Sequence, residues 1–148
     1  MSELHFRFER EDDWHGKLVA NVATEGFAGE GGAWFNTDEL RSFAKSLSAY
    51  PLPVEAPPSI ASGFGVSANR LEQVHLAVTV EPHNARGLVR ATVTLATEVW
   101  NSEAEDLACS TTARFVVTYA DLGQFVPALL DVLEGRADRA TLHSSADR

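Results

Sequence analysis

A nine-residue segment occurs twice in this chain, and the repetition limits the fold more than any other feature. Glu39-Leu40-Arg41-Ser42-Phe43-Ala44-Lys45-Ser46-Leu47 returns 82 residues later as Asp121-Leu122-Gly123-Gln124-Phe125-Val126-Pro127-Ala128-Leu129, with the acid, both leucines and the phenylalanine kept in place. Apolar residues at this spacing line one face of a helix. Each copy follows an aromatic or β-branched run, Trp34-Phe35 or Phe115-Val116-Val117, and each has strand-like stretches upstream. The chain therefore reads as one unit, three strands and a helix, used twice.

In the first unit, Leu4, Phe6 and Phe8 alternate with His5, Arg7 and Glu9, the mark of a strand with one face buried. An acidic turn, Glu9 to Asp13, leads to a second strand from about Trp14 to Thr24. Gly26 to Gly32 reads as a glycine-rich turn feeding a short strand, Ala33 to Phe35. The helix then starts at Asn36, with Glu39 completing a capping box, and ends near Tyr50 because Pro51 and Pro53 cannot continue it.

The second unit repeats this plan. Val74, Leu76, Val78 and Val80 form one apolar face, and Val89, Ala91, Val93 and Leu95 another. Asn101 to Asp106 is a second acidic turn, and a third strand presents Ala113, Phe115 and Val117 to the core. Thr118 and Asp121 cap the second helix, and Gly135 closes it. Between the units, residues 51 to 70 hold four prolines and no periodicity and read as a long connection; residues 138 to 148 read as a polar, frayed tail.

These readings combine into a single α+β domain, with pseudo-repeats at about 4–50 and 71–135. Its duplicated β-β-β-α units form one mostly antiparallel, six-stranded sheet with two helices packed on one face. The other face, with His5, Arg7, His75, Arg90, Thr92 and Arg114 among its residues, is expected to be solvated, covered by the 51–70 loop, or used for a partner or a homodimer.

Chemistry leaves few marks on the sequence. The five histidines include no helical pair four residues apart, and the one cysteine, Cys109, has no second thiol to share a structural zinc; His75 and His83 flank Glu81 without matching a metal pattern. Cys109 is expected to be a buried, inert thiol at the start of a strand. Ser62-Gly63-Phe64-Gly65 is not a nucleophile elbow, and Gly29-Glu30-Gly31-Gly32 lacks the Lys-Ser/Thr of a phosphate loop. No catalytic residue, metal site or cofactor is expected.

Charge says more. With 12 basic against 21 acidic residues the formal charge is −9, which disfavours a nucleic-acid partner and suits a basic protein one. One cysteine and no long apolar run fit a cytoplasmic protein with no membrane segment, and arginine outnumbering lysine ten to two fits a GC-rich bacterial genome. The candidate partner-binding residues are the two acidic turns with the tryptophans beside them: Asp12, Asp13 and Trp14, and Trp100, Glu103, Glu105 and Asp106. Aromatic anchors beside charge suit recognition.

The layout of strands, a helix with acid-Leu-x-x-Phe-x-x-x-Leu spacing at Glu39 to Leu47, more strands, and a closing helix with that spacing at Asp121 to Leu129 resembles the WapI-like bacterial immunity proteins. The Pro-rich stretch from Pro51 to Arg70 departs from that layout. The resemblance implies a non-enzymatic protein that neutralises a co-encoded toxin, here a basic one. The alternatives are an acidic chaperone or adaptor for a client protein, and a small-ligand-binding protein.

Overall fold

The computed structural model describes residues 1–67 and 70–146, so residues 68 and 69 of the Pro-rich stretch and 147 and 148 of the polar tail fall outside the described residues. In chain order the elements are β1 (Glu3–Arg10), β2 (His15–Thr24), β3 (Phe27–Asn36), α1 (Thr37–Ser46), β4 (Ser59–Ser67), β5 (Arg70–Pro82), β6 (Leu88–Ala96), a single helical turn α2 (Ser102–Glu105), β7 (Ser110–Thr118), α3 (Tyr119–Leu133) and β8 (Ala140–His143).

The expected single six-stranded sheet is not what forms. Among the described residues, eight strands make two four-stranded antiparallel sheets, ordered β3-β2-β1-β8 and β4-β5-β6-β7. They share one continuous core, in which Leu4, Phe6, Leu18 and Val22 of the first sheet meet Leu76, Val78, Val93 and Val117 of the second. Two facing sheets bury each other's apolar faces, so neither needs a full layer of helix above it. The helices pack against one another; α1 also touches β3 and β4, while α3 lies on β1, β7 and β8.

β3 shows how the sheets come together. It contacts all four strands of the second sheet, so it crosses them rather than joining them. The glycines expected in a turn are strand residues that permit the crossing. A Cβ on Gly31 would lie 3.0 Å from the His75 carbonyl oxygen, and one on Gly29 would lie 2.8 Å from the Thr111 hydroxyl. The actual turn is only Glu25-Gly26, with φ of 48° and 87°, the left-handed pair that a two-residue hairpin requires.

Two further expectations are corrected. Residues 51–70 are not a bare connection, because β4 lies within them and Leu52, buried, donates its amide to the Tyr119 hydroxyl at 3.1 Å. The tail is not frayed from residue 138, because β8 pairs with β1 and buries Ala140 and Leu142. Beyond β8, the Ser144 amide donates to the Ser2 carbonyl and Ser145 bonds to Asp121.

These two strands complete a pattern. Written from one edge, the sheets run β8-β1-β2-β3 and β4-β5-β6-β7, each followed by a helix, α1 or α3. Each unit is thus four strands and a helix. The second takes its edge strand from the residues just before it, and the first takes its own from the far end of the described chain.

Candidate functional site

The first acidic turn joins β1 to β2. Asp12 is spent on building it: one carboxylate oxygen accepts from the Trp14 amide at 2.7 Å, the His15 amide at 2.9 Å and His15 Nδ1 at 3.0 Å. The Trp14 amide bond, reinforced by those from His15, holds the carboxyl below its ordinary range against a smaller effect of burial. Asp13 is exposed, 3.9 Å from Arg10. The Trp14 side chain is 74% exposed, while its carbonyl accepts from the Thr37 amide at 2.8 Å, pinning the turn to the start of α1.

The second acidic turn follows β6 in the other sheet. Glu103 and Glu105 stand on α2 with Asp106 just beyond, all three exposed. Trp100, also 74% exposed, rests on the Phe64 ring with centroids 4.4 Å apart. The two turns therefore belong to different sheets, and the surroundings of the two are tied by an ion pair from Lys17 of β2 to Glu98 at 3.2 Å.

Between β3 and β4 lies a groove of about 670 Å³. His15, Trp34, Asn36 and Glu39 line it from the first unit, and Ser62, Gly63, Gly65 and Leu71 from the second. The Ser62 hydroxyl donates to the Trp34 carbonyl at 2.6 Å and sets the width. The His15 ring sits 5.7 Å from that of Trp34. Because His15 Nδ1 faces the Asp12 carboxylate, it carries the proton, and in the neutral ring Nε2 is left as an acceptor. Asn36 occupies the N-cap of α1 without any capping bond from its side chain. Glu39 makes no ion pair among the described residues, and burial pushes its carboxyl up while the Asn36 amide pulls less strongly the other way.

The floor of the groove is a bulge. Ser62 pairs with Leu76 and Gly63 with Val74, so His75 is an extra residue in β5. Gly63 is obligatory there, since a Cβ would fall 2.0 Å from the Gln73 carbonyl oxygen. The bulge turns His75 inward, where it is 2% exposed, so it does not belong on the outer face where alternation puts it. Its Nε2 donates to Gln73 Oε1 at 2.8 Å, and Gln73 in turn holds Val99 through its carbonyl at 2.9 Å and its amide at 3.2 Å. Burial lowers the His75 pKa, with Glu98 opposing and Lys17 adding to the effect.

A smaller cavity of about 300 Å³ lies on the other side of that bulge, lined by Gln73, His75, Thr97, Glu105 and Cys109 among others. Cys109 is exposed, not the buried thiol expected of it, because the chain before β7 lies at the surface. Among the described residues no three His, Cys, Asp or Glu side chains are grouped as a metal would require.

The groove draws on residues that the sequence pattern does not bring together. His15, Trp34 and Glu39 come from three elements. Glu39, matched to the capping acid Asp121 by the repeat, reads in the sequence as a helix-start residue alone. Compared with family models, with curated proteins and with solved structures, the chain matches none of them.

Proposed function

We propose that this chain is a non-enzymatic protein-binding domain whose partner presents a basic surface. The observation that carries this reading is the placement of its tryptophans: Trp14, Trp34 and Trp100 are 74%, 47% and 74% exposed. Tryptophan is highly buried on average, and an exposed, rigid aromatic beside charge is what interfaces use as an anchor. Acidic turns around Trp14 and Trp100, on a chain of net charge −9, would steer a basic protein toward these anchors. The resemblance to immunity proteins gives this partner a specific form, a basic toxin encoded beside this chain.

The test is capture of the partner from the native host, followed by association kinetics at two ionic strengths. Asp12 is left intact because it holds its turn together. Reversing Asp13, Glu103, Glu105 and Asp106 to Lys should slow association at least about tenfold while leaving thermal stability nearly unchanged. The wild-type rate should fall as salt rises. Equal rates for the two proteins, insensitive to salt, would remove the acidic turns from the interface.

A further inference from the structure

The groove between β3 and β4 holds a carboxylate whose one bond comes from the Asn36 backbone amide and an indole that only the His15 ring meets among the described residues. Asp38, next to Glu39, is taken by Arg41 at 2.8 Å, and the same Arg41 reaches Glu134 at 2.8 Å. Lys17 is the cross-strand neighbour of Trp34, yet its ammonium goes to Glu98 instead. Glu39 is left with no cation among the described residues, in a groove where burial already disfavours its charge. Trp34 is about half exposed on the same groove.

From this juxtaposition we infer that the groove is a recognition site for a guanidinium group, an arginine side chain of the partner that stacks on Trp34 and pairs with Glu39. The inference rests on the protein-binding reading above and names what part of the partner enters the molecule. Several features favour this chemistry over others. An anion would face the Glu39 carboxylate, and a neutral apolar group would leave that carboxylate without a counter-charge in a partly desolvated place. Asp38 and Glu39 in the first turn offset the partial positive charge at the start of α1, so a cation meets no net repulsion there. A guanidinium has a flat face for an indole and five donors in one plane, and the rim supplies an acceptor on the Asn36 side chain in addition to Glu39. An ammonium is a compact point charge and cannot stack and bond in plane at once. On the second side of the groove Gly63 and Gly65 lie with small residues, Ala61 and Ser62, which gives the flat group room.

The experiment needs no knowledge of the partner. N-acetyl-arginine amide, its lysine counterpart and its neutral citrulline counterpart are titrated into the whole protein, following the indole N–H resonances by NMR. The Trp34 signal should shift saturably with the arginine probe, and the lysine and citrulline probes should bind at least about fivefold more weakly. Glu39→Gln, which keeps a residue suited to the first turn of a helix, should weaken the arginine probe at least about fivefold while melting like the wild type. Glu55→Gln, the same loss of charge at an exposed carboxylate outside the groove, should bind as the wild type does. Equal response to arginine and citrulline, an unmoved Trp34 signal, or unchanged binding in a folded Glu39→Gln protein would each overturn the site. Capture of a basic partner without any arginine response would sink the site and leave the binding reading standing; an arginine response with no protein partner captured would do the reverse.

Discussion

Glu39 and Asp121 occupy the same place in the two units, 82 residues apart and three beyond their N-caps, yet their carboxyl groups are shifted in opposite directions. At the second helix the capping box is complete: Thr118 accepts from the Asp121 amide at 3.1 Å, and the Asp121 carboxylate accepts from the Thr118 amide at 2.8 Å. Burial pushes Asp121 up, but the bonds from Thr118 and Ser145 together outweigh it and leave the group below its ordinary value. At the first helix the cap side chain makes no bond, and burial wins. One unit has spent its polar groups on its own stability. The other keeps half of that arrangement, the Asn36 backbone amide on Glu39, and leaves the acid without a cation at the edge of a groove, which is where local consistency is expected to lapse for the sake of function.

The largest effect should come from the edge strands. Removing residues 140–148 strips β1 of its neighbour and exposes the core at Ala140 and Leu142, so the loss should match or exceed a large core truncation, ~3–5 kcal/mol. A synthetic peptide covering β8 should restore part of it by adding back as a strand. Urea unfolding with and without the peptide reads both, and an unchanged midpoint after truncation would mean that the first sheet is complete without β8.

Phe43 and Phe125 are matched by the repeat and are 4% and 2% exposed. Replacing either with Ala should cost ~3–5 kcal/mol, with Phe125, in ring contact with Phe6, at the upper end. A value below ~1 kcal/mol for one of the two would break the equivalence of the helices as core elements.

The caps should separate the units again on a smaller scale. Thr118→Ala removes a bond that exists and should cost ~1 kcal/mol, whereas Asn36→Ala removes none and should change stability by less than ~0.5 kcal/mol. Equal losses would show that Asn36 does cap α1 in solution.

Titration gives the smallest signal. Asp121, with its folded pKa depressed, contributes stability that is present above the pKa of the unfolded chain and lost as pH falls through the folded value. Glu39, with its folded pKa raised, acts with the reverse sign: its share is present below the unfolded value and lost as pH rises through the folded one. Carboxyl NMR should therefore place the Asp121 midpoint below, and the Glu39 midpoint above, those of free side chains. Midpoints shifted in the same direction would remove the contrast between the two helix starts.

Much of the architecture was legible because it is written in local periodicity. The alternation in β1 and β6, the apolar stripes of α1 and α3 and the Thr118–Asp121 box all follow from neighbours in the chain. What was not legible depends on distant partners. Alternation tells which side of a strand is buried but not what buries it, so two facing sheets read as one. Glycines at 29 and 31 looked like a turn because their reason, the backbone of β5 and the Thr111 side chain, lies far along the sequence. β4 is rich in small residues through a bulge and β8 is only four residues long, so neither carries a clear period of two. His75 was placed on the wrong side because one bulge reverses the phase of everything on one side of it. At the site, Trp14, Trp100 and the acids stood out as exposed types in turns, whereas Glu39 is an unremarkable helix residue until Trp34 and His15 are brought beside it.

The borrowed edge strand also gives the molecule a schedule. During synthesis the residues of β1, β2 and β3 emerge long before β8, separated from it by about 100 residues of chain. At about 5–20 residues per second, the first sheet waits roughly 5–20 s with the edge of β1 unpaired, whereas β4 emerges ahead of the sheet it borders. Of the two units, the one made earlier is thus the one that closes later, and the nascent protein carries an open hydrogen-bonding edge until β8 arrives.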